Sequence, residues 1–442
     1  MRIRLSDHFT YSKLLRFVTP SVTMMIFTSI YSVVDGLFVS NFVGKGPFAA
    51  LNLVYPVIMG FAALGFMLGT GGSAIVSKTM GEGEPENANR YFSMLVYVTI
   101  AAGLIVTALG ELFLRPIVLF LGAEGAMVGD CLLYGRIVLA AQTAFMVQNV
   151  FQSFCVTAER PKLGLSIMVA AGMTNMVLDF AFVAVFQWGL AGAALATAFS
   201  QAAGGLIPLL YFSRPNESPL RLRPARLEWR VLGQACSNGS SELMTNLSNS
   251  VVNILYNFQL LRLAGEDGVA AYGVIMYVNF VFNAIFFGYA IGSGPVIAFH
   301  YGAEDHGELK SLLHKSLVLT AAAGAAMTAS GAALAYPLSA VFVGYDPQLM
   351  AMTSRGMLLY AFSFLFAGFN VFSSAFFTAL NNGAVSASIS FLRTLLFQTA
   401  AVLLLPILWK LDGVWLSITA AELLALGVSA LCLVWKRKQY HY

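Results

Sequence analysis

The sequence is poor in charged residues and in cysteine. Asp, Glu, Lys and Arg together make up 10% of its 442 residues, whereas soluble domains carry about 25%. Apolar residues account for 58%, so a water-soluble fold would have too little polar surface to cover its core. The four cysteines contain no Cys-x-x-Cys pair, which argues against a disulfide framework and a cysteine metal site. The composition predicts a membrane protein.

Motifs of membrane-embedded enzymes are also missing. The chain has no His-Glu-x-x-His, Gly-x-Ser-x-Gly or Walker-type phosphate loop. Its five histidines fall at span ends, in connections or in the tails, so they form no obvious metal cluster. We therefore expect no enzyme activity, no catalytic residue and no cofactor. The net charge of +4 comes from short segments between apolar runs, which gives no reason to expect nucleic acid as a partner.

Long apolar runs dominate the rest of the chain. A membrane-spanning helix needs about 20 apolar residues. We predict twelve spans, over residues 14–40, 50–78, 92–115, 134–158, 163–186, 189–212, 236–261, 270–300, 313–342, 354–380, 384–409 and 412–434. The first is interpreted as a retained span because it lacks a small-residue cleavage site. The fold class is therefore an all-α, polytopic membrane protein.

The distribution of Lys and Arg predicts the orientation of these spans. With a cytoplasmic N-terminus, most of the 25 basic residues lie on the cytoplasmic side, and Arg393 is counted among them. Both termini are then cytoplasmic. The longest polar connection lies on the same side and separates two sets of six spans. We expect an N-terminal bundle over 1–212, a cytoplasmic linker over 213–235 and a C-terminal bundle over 236–442.

The two halves of the chain repeat each other at a constant offset of 221 residues. The triplet Asn149–Phe151 recurs as Asn370–Phe372, and Gly81 recurs as Gly302. Because each half has an even number of spans, the halves share one orientation and are related by a pseudo-twofold axis along the membrane normal. Two like-oriented six-helix bundles that face one cavity are typical of transporters that work by alternating access.

Four acidic residues fall inside the predicted spans, namely Asp35, Asp179, Glu242 and Glu422. A charge at the bilayer centre costs at least about 2.5–3.5 kcal/mol, so each is a functional candidate. Glu422 repeats the position of Gln201 in the first half. Cavity lining and hydrogen bonding between helices both fit it.

Polar residues of the first bundle are predicted to share one depth. Asp35 and Asp179 each lie about 10 Å below the outer surface, and Thr197 enters to a similar depth. Asn175 precedes Asp179 by one turn, on the same helix face. Two close carboxyl groups in a low dielectric disfavour a second charge, so one can exchange a proton. The same oxygens suit Na⁺, a hard cation, although hydrogen bonding within the bundle is an alternative.

The stretch from Ser240 to Asn257 carries an unusually polar face. Polar side chains are costly to expose to lipid, so we predict that this face lines a wet cavity. The candidates for the cavity and the substrate are Glu242, Asn246, Asn249, Asn253, Tyr256 and Asn370.

Several segments resemble the multidrug and toxic compound extrusion (MATE) family across essentially the whole chain. They are Tyr31–Gly44, Ala50–Gly81, Asn175–Phe180 and Gly189–Thr197, and the second half resembles a bacterial branch of that family. The resemblance implies two six-helix bundles and export of organic cations in exchange for H⁺ or Na⁺. It implies an ion site, with Na⁺ at Asp35 and Asp179 as one option, formed by Asp35, Asn149, Asn175, Asp179 and Thr197. Glu242 lies about two turns early for the family's second ion site.

We therefore expect an antiporter for small organic cations or drugs in the bacterial cytoplasmic membrane. It is expected to be a monomer surrounded by lipid. The first alternative is a flippase for lipid-linked precursors, although few cationic residues lie within the spans. A major-facilitator transporter is disfavoured because its usual Asp-Arg-rich connection after the second span is absent. That connection reads GEGEPENANR here. A channel would not predict acids buried in one bundle.

Overall fold

The computed structural model describes residues 3–38, 42–43 and 45–442. Within these ranges the chain is helical and contains no β-strand. The predicted end of the first span at residue 40 lies outside the described residues.

The first half contains seven α-helices among the described residues. They are α1 (Tyr11–Phe38), α2 (Lys45–Gly81), α3 (Pro85–Phe120), α4 (Ala126–Ala140), α5 (Gln142–Thr157), α6 (Pro161–Asp179) and α7 (Gly189–Ser213). Proline starts α3 and α6, where its missing N–H costs no hydrogen bond. Helices α4 and α5 meet at 53° and make one bent span. Helix α6 continues as a π-helical segment over Phe180–Val185.

The second half repeats this order. Its helices are α8 (Trp229–Gly302), α9 (His306–Val343), α10 (Pro347–Ala361), α11 (Phe364–Ala379), α12 (Gly383–Phe391) and α13 (Gln398–Tyr440), with a π-helical segment over Leu392–Phe397. Helix α8 is broken at Gly265, where φ is 64°, and α13 at Lys410, where φ is 51°. Helices α10 and α11 meet at 47°.

Twelve spans result from these breaks. By length and apolar composition, the described residues give eight helices able to cross a membrane, or ten when each bent pair is one span. Dividing the two long stretches at Gly265 and Lys410 gives twelve. The predicted spans coincide with these helices, which extend several residues further at most ends.

The repeat is visible in where the helices begin. Helices α4 and α10 each have 15 residues, and their first residues, Ala126 and Pro347, are 221 positions apart. The turns before α3 and α9 are left-handed at Gly83 and Glu304, which have the same separation. The two halves therefore share their turns as well as their helix lengths.

The bundles touch most closely where α2 and α8 cross. A Cβ atom added at Gly81 would lie 2.0 Å from the carbonyl oxygen of Phe299, and one at Gly302 would lie 2.1 Å from that of Lys78. These are two copies of one contact, because both residue pairs are related by the 221-residue offset. We call the side of the molecule where this crossing, residues 3–10 and the end of α13 lie the terminal side. Backbone contact seals the two bundles there.

The N-terminal segment, residues 3–10, reinforces this seal. The backbone N–H of Leu5 donates to Glu159 Oε1 at 2.9 Å, between α5 and α6. The N–H of Phe9 donates to Glu308 Oε1 at 2.9 Å, in the first turn of α9. His8 Nδ1 lies 2.6 Å from the other oxygen of Glu308. One short segment thus joins both bundles.

The connection between the halves is bound to the first bundle. The backbone N–H of Arg221 donates to Asn89 Oδ1 at 2.7 Å, and that of Arg223 donates to Ser93 Oγ at 2.9 Å, both on α3. Helix α8 already begins at Trp229, within the linker predicted over 213–235.

Replacing Gly302 by alanine is expected to open the terminal side. The new methyl group would meet the backbone of α2, and such overpacking costs about 1–3 kcal/mol. Distances between spin labels at Glu86→Cys and Lys310→Cys, in a cysteine-free chain, should lengthen or become bimodal. The matched control is Gly233→Ala on the same helix, where a Cβ meets nothing within 4 Å. An unchanged distance in Gly302→Ala would disprove the seal.

Candidate functional site

Two carboxyl groups meet inside the first bundle. Asp35 on α1 lies close to Asp179 and Asn175 on α6. Asp179 is fully buried, whereas Asp35 is partly exposed. Asp35 Oδ1 and both oxygens of Asp179 have no hydrogen-bond partner among the described residues. The structure thus brings together three of the residues predicted for the ion site.

The chemistry of these oxygens fits a proton or a hard cation. An ionised carboxylate accepts hydrogen bonds and donates none, so two ionised carboxylates cannot bond each other. The Asn175 side-chain oxygen is buried and unpartnered as well. Carboxylate and amide oxygens are ligands for hard cations, and a proton on one aspartate would satisfy the other. Burying polar oxygens without hydrogen-bond partners is costly. Binding of a proton or a metal cation would therefore stabilise this cluster.

Close packing of α1 against α6 brings the two aspartates together. A Cβ atom at Gly172, two turns before Asp179, would lie 2.5 Å from the ring of Phe27 and 3.1 Å from Tyr31. The helix widens into its π-helical segment directly after Asp179, shown by the bond from Phe186 N to Ala181 O at 2.8 Å. Such π-helical turns often occur at functional sites.

Three tyrosines surround the carboxyl pair and were not predicted from the sequence. Tyr31, Tyr55 and Tyr134 all lie within electrostatic reach of Asp35, and the Tyr134 hydroxyl is next to that of Thr197. Tyr55 is 40% exposed, so the cluster reaches the accessible surface of the first bundle. For Tyr31 the sequence did carry a signal, because Tyr31 precedes Asp35 by one helical turn and so lies on the same helix face.

Asn149 is the predicted ion-site residue contributed by α5. It lies on α5, with its backbone against Gly69 of α2. Its side chain is buried, and neither polar atom has a partner among the described residues.

The second bundle holds a buried ion pair instead. Arg393 Nε lies 2.8 and 3.0 Å from the two oxygens of Glu422. The Asn370 amide donates to Glu422 Oε2 at 2.7 Å, and Ser429 Oγ donates to Asn370 Oδ1 at 2.9 Å. Glu422 therefore bonds helices together, which is one of its two predicted roles.

Two sequence-based placements are corrected by this network. Arg393 was counted with the cytoplasmic charges, but it lies in the π-helical segment with 8% of its surface exposed. An arginine can enter a span when a buried acid pairs with it, so Arg393 carries no information on orientation. Asn370 was a candidate for the cavity wall, yet it is completely buried and both its polar atoms are bonded within the bundle.

The polar face of α8 is largely open. Asn249 and Asn253 are exposed, and Glu242 and Asn246 are partly exposed. Tyr256 is buried, stacked on Tyr272 with ring centroids 5.2 Å apart. Four of the predicted cavity residues are therefore accessible, whereas Tyr256 belongs to the interior of the bundle.

The two bundles have the same helix arrangement but carry different polar side chains at equivalent positions. Tyr256 stands 221 residues after Asp35, so the second bundle has a phenol where the first has a carboxylate. Glu422 likewise stands where the first bundle has Gln201. The carboxyl pair is thus a feature of the first bundle.

Comparisons with known proteins agree with this architecture. The sequence profile of the family described as MatE matches twice, over residues 20–181 and 243–402. The chain belongs to the MatE family. This is a family of multidrug efflux transporters, and the two matches fall on the two halves of the repeat.

Individual relatives of this MatE protein are distant in sequence and close in fold. "Multidrug export protein MepA" of Staphylococcus saprophyticus subsp. saprophyticus is 24% identical over 360 residues, which cover 79% of each chain. The crystal structure of MATE in complex with MaL6 superimposes with a TM-score of 0.92 at 21% identity, covering 98% of this chain and 97% of that one. A multidrug resistance MATE family transporter in an outward-facing conformation gives 0.91 at 21% identity, with the same coverage.

These findings confirm the predicted family and the predicted fold class. The MatE protein is a multi-pass membrane protein of two six-helix bundles, and the family to which it belongs transports substrates across membranes.

Proposed function

We propose that this MatE protein is a secondary antiporter that exports organic cations or drugs across the bacterial cytoplasmic membrane in exchange for H⁺ or Na⁺. The observation that carries the proposal is the pairing of partly exposed Asp35 with buried Asp179, because three of their four carboxyl oxygens have no hydrogen-bond partner among the described residues. The name of the staphylococcal relative, a multidrug exporter, supports export over the flipping of lipid-linked precursors.

The proposed orientation places the terminal side in the cytoplasm. The bundles over 1–212 and 236–442, joined by the linker 213–235, then rock against each other about the crossing of α2 and α8. The seal at Gly81 and Gly302 closes the cytoplasmic side, so the cavity opens outward. A single chain forms the complete site, and we propose that it acts as a monomer.

The coupling cation enters this outward-open cavity and binds at Asp35, which is partly exposed, next to the buried Asp179. Binding neutralises the pair and changes how α1 packs on α6. Asn175 and Thr197 supply further oxygens, and Asn149 acts from α5. One charge moving through 100 mV contributes about 2.3 kcal/mol, which is enough to bias such a change. Glu242, Asn246, Asn249 and Asn253 line the path of the organic cation.

The proposal is tested by efflux of a fluorescent organic cation from proteoliposomes. A pH gradient and a Na⁺ gradient are imposed separately, with membrane potential clamped in each case. Export driven by one gradient and absent without it is the expected result. A flux that ignores both gradients and fails to saturate would indicate a channel and contradict antiport.

A further inference from the structure

The buried acid of the second bundle is bonded through both of its carboxyl oxygens. Arg393 Nε donates to both oxygens of Glu422, at 2.8 and 3.0 Å, and the Asn370 side-chain amide donates to Oε2 at 2.7 Å. The side chain of Glu422 is 2% exposed and that of Arg393 is 10% exposed. The charge of this acid is therefore balanced by a positive charge that belongs to the chain itself.

The carboxyl pair of the first bundle is in the opposite condition. Three of the four carboxyl oxygens of Asp35 and Asp179 have no hydrogen-bond partner among the described residues. A proton or a cation from solution can therefore reach and balance this pair. One bundle has carboxyl oxygens that are open to an incoming ion, whereas the acid of the other bundle already holds a cation.

The internal repeat shows that the two charges of the second bundle occur together. At the offset of 221 residues, Arg393 corresponds to Gly172 and Glu422 to Gln201, so the first bundle has neither charge at these positions. Gly172 also leaves no room for a side chain, because a Cβ atom there would lie 2.5 Å from the ring of Phe27. The second bundle thus carries the acid and its cation as one unit.

A guanidinium group on the chain differs from a mobile ion in two respects. It keeps its charge at every pH at which a protein folds, and its covalent attachment prevents exchange with solution. The contact between Arg393 and Glu422 is charge-assisted and lies out of water. Separating the two groups would leave two unpaired charges in the interior, which is strongly unfavourable.

We propose that Glu422, oriented by Asn370, forms a cation site that the guanidinium group of Arg393 occupies permanently. Without that side chain, the site would bind a small monovalent cation from solution, and the guanidinium ion has the matching shape. This inference rests on the proposed antiport and deepens it, because it confines ion exchange to the first bundle.

Chemical rescue of Arg393→Ala tests the cation site. Loss of the guanidinium group should lower the midpoint of thermal unfolding of the purified full-length protein on the order of 10 °C. Guanidinium chloride at about 20 mM should then raise the midpoint of this variant by at least about 3 °C, because a ligand that binds the folded state stabilises it. Equal concentrations of choline chloride, whose cation is too large, and of urea, which is planar but uncharged, should give no such rise.

Three further proteins serve as controls for the rescue. The unmodified chain should show no rise with guanidinium, because its site is already occupied. Arg393→Ala combined with Glu422→Gln should show none, because the acid is gone. Arg355→Ala removes an exposed arginine paired with Asp412 and should also show none. A rise of the same size in any of these, or none in Arg393→Ala, would overturn the proposal.

Arg393→Lys and Arg393→Met decide the question if Arg393→Ala yields no folded protein. Lysine keeps a cation on the chain, whereas methionine has a side chain of similar length without a charge. The midpoint of Arg393→Lys should stay within about 5 °C of that of the unmodified chain, and that of Arg393→Met should fall on the order of 10 °C. Equal midpoints would show that packing and not charge matters at this position, which contradicts a cation site.

The number of ions moved per substrate tests whether exchange is confined to the first bundle. This ratio is obtained in proteoliposomes from the ion gradient at which net substrate transport stops. Arg393→Gln combined with Glu422→Gln should give the ratio of the unmodified chain, and a lower ratio would show that Glu422 exchanges an ion. Absence of ion-driven export in the unmodified chain would instead overturn the proposed function, whereas the thermal shifts need no transport and still decide the cation site.

Discussion

Asp179→Asn is expected to abolish ion-driven export while leaving the protein folded. The substitution keeps the shape of the side chain and leaves Asp35 without a second carboxyl group. The pair can then no longer disfavour its own ionisation, and a cation loses one charged ligand. Export of a fluorescent cation from proteoliposomes should fall by about 100-fold, near the upper end of typical coupling free energies. Binding of the same cation to detergent-purified protein should change by less than about 3-fold, because the proposed substrate path runs along α8 and not past Asp179.

The control for this variant is an aspartate outside the cluster. Asp267 lies near the break of α8 and is exposed, so Asp267→Asn removes one charge without touching the bundle interior. Its export rate should equal that of the unmodified chain. Ion-driven export that persists in Asp179→Asn at more than half the normal rate would show that the carboxyl pair has no part in coupling.

Glu422→Gln is expected to destabilise the second bundle strongly. The substitution leaves Arg393 charged and nearly buried without its counter-ion. Removal of one member of a buried ion pair costs about 3–5 kcal/mol. For a bundle of this size, the midpoint of thermal unfolding should fall on the order of 10 °C. Unfolding of the purified protein, followed by tryptophan fluorescence in detergent, measures the change.

The double variant Arg393→Gln with Glu422→Gln separates charge from packing. With both charges gone, most of the lost stability should return, since two glutamines can bond each other and Asn370. If the double variant is as unstable as Glu422→Gln, then the loss is due to packing. A single variant with the midpoint of the unmodified chain would show that the ion pair is solvated and contributes little.

Much of the fold could be predicted because a bilayer constrains it tightly. Every backbone polar group must be bonded within the membrane, so long apolar runs become helices. The 221-residue repeat then predicted two bundles, and the structure shows it in the paired contacts of Gly81 and Gly302. The bends between α4 and α5 and between α10 and α11 were not predicted. No proline marks either junction, so the sequence gives no signal for them.

The first-bundle site was partly predictable for a simple reason. Burying an acid is costly, which singles out Asp35 and Asp179, and depth along the helices puts them at one level. Spacing could have singled out Tyr31, but Tyr55 and Tyr134 could not be selected, because tyrosine is common in apolar helices and its partners depend on helix rotation. Arg393 was misplaced because a basic residue in a span resembles a loop charge until its partner, Glu422, is seen beside it.

The most direct test of exchange runs the cycle in reverse. Proteoliposomes are prepared with no gradient of H⁺ or Na⁺, and a gradient of organic cation is imposed. Linkage requires that substrate moving one way drives the coupling ion the other way. An internal pH or Na⁺ indicator should therefore report ion movement opposite to the substrate, absent in Asp35→Asn. Substrate movement with no opposing ion flux in the unmodified chain would contradict antiport.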